Sequence, residues 1–239
     1  MSEAPEPRLL PLPRRPSMAA RWGQFLLAMA LFGVVIAMML RSGLGLGPWD
    51  AFHAGVSRLT GITIGQASIV VGIGVLAASM AMGVRPGVGT LANMVLVGAA
   101  TDAALPLVPS AASLGGGMIT GLAYYIVAIV VGGYATGMYI GAHLGAGPRD
   151  GLMVGLSTRF GWPVRRVRTC IEAAALLAGW GMGARLGVGT ALFMVGIGPA
   201  SQWGMRRFGL VRADGSAMAA TARGTAEPVP PTQPRDRAA

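Results

Sequence analysis

Six long apolar runs, separated by arginine-bearing or glycine-rich breaks, constrain this chain more than any other feature. Trp22 to Leu40 is 19 uncharged residues held between Arg21 and Arg41. Further runs follow at about Ile62 to Val84, Pro86 to Leu105, Met118 to Ile140, Val167 to Ala184 and Leu186 to Met205. Crossing about 30 Å of hydrocarbon takes about 20 apolar residues, so all six are read as transmembrane helices, the fifth weakened by Glu172. A soluble fold would need a polar skin. Only 12% of the residues are charged, against roughly a quarter in soluble domains.

Two shorter and more polar segments, Trp49–Thr60 and Arg149–Phe160, each begin after Gly-x-Gly-Pro and end at Gly61 or Gly161. Proline in the first turn and glycine just past the end predict short helices. Twelve residues rise about 18 Å, too little to span. They are expected to be interfacial or re-entrant.

The formal net charge of +10 comes from arginine, since the chain has no lysine. Lysine Schiff-base chemistry and a P-loop lysine are thereby excluded. The arginines flank apolar runs and form no aromatic-interleaved patch, which argues for a lipid bilayer as partner and against nucleic acid. Cys170 lies inside an apolar run and is read as a small core residue. Residues 1–20, rich in proline, and 209–239 read as disordered tails, with no cleaved signal at the start.

The runs are related to one another. At an offset of 100 residues, Gly45, Gly47, Pro48, Asp50, Gly55, Ser57 and Gly61 recur as Gly145, Gly147, Pro148, Asp150, Gly155, Ser157 and Gly161. Met82-Gly83-x-Arg85-x-Gly87-Val88-Gly89-Thr90 likewise recurs from Met182 to Thr190. Windows 41–98 and 141–198 share 20 identities in 58 ungapped positions. Eight are glycine pairs, where 12 × 13 / 58, about three, arise by chance. The chain therefore divides into repeat 1 (21–115) and repeat 2 (116–208), each with three spans.

Three spans per repeat would place the second copy upside down. With both termini in the cytoplasm, and counting as far as Arg212, 13 arginines fall inside and three (Arg41, Arg58 and Arg185) outside. Inverted repeats of this kind are common in secondary transporters, with the site at the repeat interface.

Gly-Leu-Gly-Pro-Trp-Asp at 45–50, Gly-x-Gly-Pro-x-Asp at 145–150 and the two Arg-x-Gly-x-Gly-Thr segments resemble the YczE branch of the bacterial YczE/YyaS/YitT membrane protein family. The resemblance covers about residues 22–208. It implies a polytopic bacterial inner-membrane protein, for which transport is often suggested. One departure from two-fold symmetry is Arg149, where the first half has Trp49.

Asp50 and Asp150 lie in the first turns of the short helices. They either cap those helices or present carboxylates to a midplane site for a cation or proton. Arg85 and Arg185 open the third span of each repeat, as interfacial anchors or as partners in cross-repeat pairs, Asp50–Arg185 and Asp150–Arg85, that gate a central site. Gly47, Pro48, Gly147 and Pro148 shape the approach to it. Glu172, opposite Gly72 in the repeat, is expected to pair with Arg165, Arg166 or Arg168, or else to couple protons. His53 and His143 lack metal-ligand spacing and read as interfacial; Asp102 reads as an exit anchor. The remaining glycines permit close helix packing, with backbone ion coordination at Gly87–Thr90 the lesser alternative.

The expected fold is an all-α polytopic membrane protein of six main helices in two inverted three-helix repeats, plus two short helices. The expected function is transport of a small solute or ion through a site between the repeats. The alternative is a non-transporting membrane scaffold or assembly factor that binds another protein. An enzyme is not expected, since no catalytic motif appears at workable spacing, and no cofactor or metal is implied. Homo-oligomers are compatible with the sequence. The aspartates favour cations and the helix N-termini favour anions, leaving the sign of a ligand's charge open.

Overall fold

A computed structural model describes residues 16–145 and 147–210 of the chain; most of both predicted tails lies outside the described residues. The described residues form eight helices and no strands. Helix α1 is Met18–Ser42, α2 Pro48–Thr60, α3 Ile64–Ala81 and α4 Val88–Ala104. The second half follows with α5 Gly117–Gly141, α6 Pro148–Phe160, α7 Val164–Gly181 and α8 Val188–Arg207. The apolar runs become the long helices, and the two Gly-x-Gly-Pro segments become α2 and α6. Helix α1 starts at Met18, three residues inside the stretch read as tail.

The helix ends follow local chemistry. Gly61 and Gly161 close α2 and α6 in the left-handed conformation, at φ 75° and 65°, which a side chain would strain. Thr63 and Gln66 cap α3 reciprocally. Asp102, from the end of α4, accepts a hydrogen bond from the Gly65 amide at 2.9 Å and another from the Thr63 hydroxyl. The exit anchor is thus a clamp between two helices.

Helices α1 and α5 lie at the centre and run antiparallel. Arg21, near the start of α1, donates from Nε to the Ala142 carbonyl at 2.7 Å and from its guanidinium to that of His143, just past the end of α5. At the other end, Gly121 of α5 packs against the chain leaving α1 at Ser42 and Leu44. Around this pair, α1 packs on α4 as α5 packs on α8, and α2 packs on α7 as α6 packs on α3. The symmetry fails in one place. Helix α3 lies along α4, whereas α7 has no comparable packing on α8.

The two halves plug into one another by a reciprocal backbone device. The Leu44 carbonyl accepts the Gly189 amide at 2.8 Å, and the Leu144 carbonyl accepts the Gly89 amide at 2.9 Å. Within each break, Thr90 or Thr190 accepts the amide of Gly87 or Gly187 through its hydroxyl, at 3.2 Å. Each loop before a short helix therefore supplies an acceptor to the otherwise unsatisfied N-terminus of α4 or α8. Gly45, at φ 105°, lies so close that a Cβ there would sit 2.5 Å from the Gly187 nitrogen. Gly45, Gly87, Gly89 and their counterparts are contact points between halves, and no backbone carbonyl cradle for an ion is needed to account for them.

Helices α1, α3 and α5 are long and apolar enough to cross a membrane, and α4 is a shorter apolar helix. Their outward faces carry exposed apolar side chains such as Val70, Ile73, Leu91, Val95, Ile126 and Val130. Surface of that kind is not tolerated in contact with water over such an extent.

Candidate functional site

The N-termini of the two short helices meet inside the protein. Arg149 in the first turn of α6 stacks over the Trp49 ring in the first turn of α2, 4.5 Å from its centroid. These two residues occupy equivalent places in the repeat. Around the stack opens a cavity of about 380 Å³. Its lining includes Trp49, Asp50, His53, Asn93, Tyr139, Arg149 and Asp150, the Arg168 and Glu172 side chains of α7, and the hydroxyl residues Ser68, Thr136 and Ser201. Apolar side chains of α1, α3, α4 and α8, among them Phe32, Val35, Val71, Val97, Phe193 and Ile197, form its walls.

The two repeat-related aspartates have different surroundings. Asp150 accepts hydrogen bonds from the Tyr139 hydroxyl at 2.8 Å and from the Gly147 amide at 3.1 Å. It caps its helix and is tied to α5. Asp50 is only 8% exposed and has no hydrogen-bond or ion-pair partner among the described residues. The position matching Tyr139 is Met39, which offers no hydroxyl, and the Gly47 amide, unlike that of Gly147, makes no bond to the aspartate. His53, one turn beyond Asp50 on α2, is 3% exposed and tilts against Trp49. Arg149 lies within electrostatic reach of both carboxylates without an ion pair to either.

Several expectations change here. The cross-repeat pairs Asp50–Arg185 and Asp150–Arg85 do not form, and Arg168–Glu172 is the only ion pair among the described residues. Arg85 and Arg185 are exposed and do not line the cavity. They sit in the breaks before α4 and α8, whose ends are already occupied by the Leu44 and Leu144 carbonyls. The cation facing both aspartates is Arg149. Glu172 pairs with Arg168 one turn earlier on α7, at 2.9 Å, and this pair lines the cavity. Pro48, Gly147 and Pro148 line the cavity as well, while Gly47 packs on the Phe193 ring instead. His53 is a buried cavity residue and His143 is exposed. Cys170 is exposed, not part of the core.

Sequence reasoning named Trp49 only as a departure from symmetry and His53 as interfacial, and passed over Tyr139 and Asn93, placing none of the four at the site. Their one trace in the sequence is a broken symmetry, which 38 of the 58 repeat positions share. Each stands where its repeat partner is a different kind of residue: Arg149, Met153, Met39 and Phe193. The copies differ at the cavity no more often than elsewhere, but these differences leave its lining asymmetric.

Among known proteins, the family of unknown function DUF6198 matches residues 19–206. The chain belongs to this family. It is 33% identical over 174 residues to the uncharacterized membrane protein YczE of Bacillus subtilis (strain 168), covering 72% of this chain and 79% of that protein. It is 32% identical over 178 residues to an uncharacterized protein of Haemophilus influenzae, covering 74% and 80% of the two chains. No solved structure matches. The resemblance to the YczE branch is thereby borne out, and with the apolar helices it makes this an integral membrane protein.

Proposed function

We propose that the protein is a bacterial inner-membrane transporter of a small solute or ion, bound where the N-termini of α2 and α6 meet. The observation that carries this is Asp50, a buried carboxylate with no hydrogen-bond or ion-pair partner among the described residues, facing a cavity of about 380 Å³. Ionisable groups at membrane depth are costly to keep, and a ligand that pairs with them accounts for their presence. The volume is within the usual range for small-molecule sites.

In this reading α1, α3, α4, α5, α7 and α8 all span. The halves are inverted copies, both termini are cytoplasmic, and α2 and α6 are re-entrant. The antiparallel α1–α5 pair, the reciprocal Leu44–Gly189 and Leu144–Gly89 hydrogen bonds and the arginine distribution support it. Alternating access would then be a rocking of one repeat against the other about the shared cavity. No chemical step is assigned, and the protein is read as other than an enzyme.

The test is uptake and export profiling of a strain lacking the gene, complemented with the wild type or with Asp50→Asn. At least one small solute should change its accumulation on deletion, recover with the wild type and fail to recover with the variant. A profile unaltered by deletion, with the protein shown to be expressed, would refute transport and favour the scaffold alternative.

A further inference from the structure

The same cavity carries information about the charge of its occupant, and the inference here rests on the transporter reading of that site. Two opposite charges face the space without touching. The Asp50 carboxylate is buried and has no hydrogen-bond partner among the described residues. The Arg149 guanidinium has one face against Trp49 and likewise no hydrogen-bond or ion-pair partner among the described residues. Stacking occupies the face of a guanidinium and leaves its edge N–H donors free, the geometry that suits a carboxylate. The positive ends of α2 and α6 meet beside it and add to its preference for an anion. In a low-dielectric interior a free carboxylate and a free guanidinium attract strongly, so a gap between them is stable when something bridges it.

Divergence between the copies makes the site polar in direction. One aspartate, Asp150, is already satisfied by Tyr139 and the Gly147 amide, while its counterpart Asp50 has neither bond. Trp49 faces Arg149, so one copy supplies the aromatic ring and the other the cation. A symmetric ion gains nothing from such a pair of unlike poles. A molecule with unlike ends does. The walls beyond the poles, Phe32, Val35, Val71, Val97, Phe193 and Ile197, are apolar.

We propose that the cavity binds a small zwitterion with an apolar body, of the amino-acid type, its ammonium group on Asp50 and its carboxylate on Arg149.

The experiment uses the purified full-length protein in detergent and reads its thermal unfolding midpoint. The probes are L-leucine and L-phenylalanine, each beside its decarboxylated amine (isopentylamine, phenethylamine) and its deaminated acid (4-methylpentanoate, 3-phenylpropanoate). At least one amino acid should raise the midpoint at about tenfold lower concentration than either single-charge analogue, the ratio that about 1.4 kcal/mol of extra binding gives. Asp50→Asn and Arg149→Gln should each abolish that advantage, while Arg149→Lys retains part of it. An amine or an acid acting alone as well as the zwitterion overturns the proposal, as does no response to either amino acid. The wild-type comparison stands even where a variant fails to fold. Binding without any transport phenotype would leave this assignment intact and refute the transporter reading. Transport of a singly charged solute would do the reverse.

Discussion

At the residue scale, the informative fact is how differently identical residues behave in the two copies. Asp50 and Asp150 share a position, a helix turn and a preceding Gly-Pro, yet one is tied down and the other free. Two hydrogen bonds separate the cases, one from the Tyr139 hydroxyl and one from the Gly147 amide. Tyr139→Phe should therefore remove one of Asp150's two hydrogen bonds, leaving the Gly147 amide, at a cost of about 1 kcal/mol, the net worth of one hydrogen bond. It is measurable as a lowered midpoint in detergent-unfolding curves, and an unchanged midpoint would mean the hydrogen bond contributes nothing. Asp102 has a heavier structural duty, satisfying both Thr63 and Gly65 at the start of α3. Asp102→Ala should cost about 1–2 kcal/mol in the same assay, the scale of a lost N-terminal cap. The aspartates, the short-helix prolines and Glu172 are legible as candidates from the repeat. The expected pairing of Asp50 and Asp150 with Arg185 and Arg85 fails, because a linear pattern gives the compartment of a charge and not its depth. Arg149 stands out in the sequence as a broken symmetry. That it stacks on its own counterpart is not readable there, since the meeting of the two N-termini is a tertiary event.

At the scale of elements, the helices are almost wholly legible. Arginines, Gly-Pro steps and terminal glycines bound all eight to within a few residues. Facing is not legible. Lipid and protein interior are both apolar, so the spacing of apolar residues does not tell one side of a helix from the other, and the expectation of a core Cys170 fails for that reason. Packing is instead read from glycine. Along α5 and α8, Gly133 and Gly204 approach so closely that a Cβ on Gly204 would clash with the Gly133 carbonyl. Gly204→Val should abolish the folded protein, seen as loss of the monodisperse peak on size-exclusion chromatography. Gly74 on α3 has nothing within 4 Å of its missing Cβ. Gly74→Ala should keep the peak and raise stability by up to about 1 kcal/mol through helix propensity. The opposite ranking of these two variants would mean that the α5–α8 contact is wrong.

At the scale of the whole molecule, two sequence-related halves lock through Leu44 on Gly189 and Leu144 on Gly89 and enclose a cavity that each lines with different residues. The repeat and its pairing are visible in the amino-acid order, because 20 of 58 positions coincide without a gap. The loop-into-break locking is not, since its acceptors are backbone carbonyls and leave no trace in residue type. We propose that the copies lie in opposite senses across the bilayer, oriented by the arginine distribution. Single cysteines at Arg85 and at Arg185, in a Cys170→Ser background, test it most directly through labelling of intact cells with a membrane-impermeant maleimide. The account predicts labelling at 185 from outside, and labelling at 85 only after the membrane is opened. Labelling of both positions from the same side would contradict it.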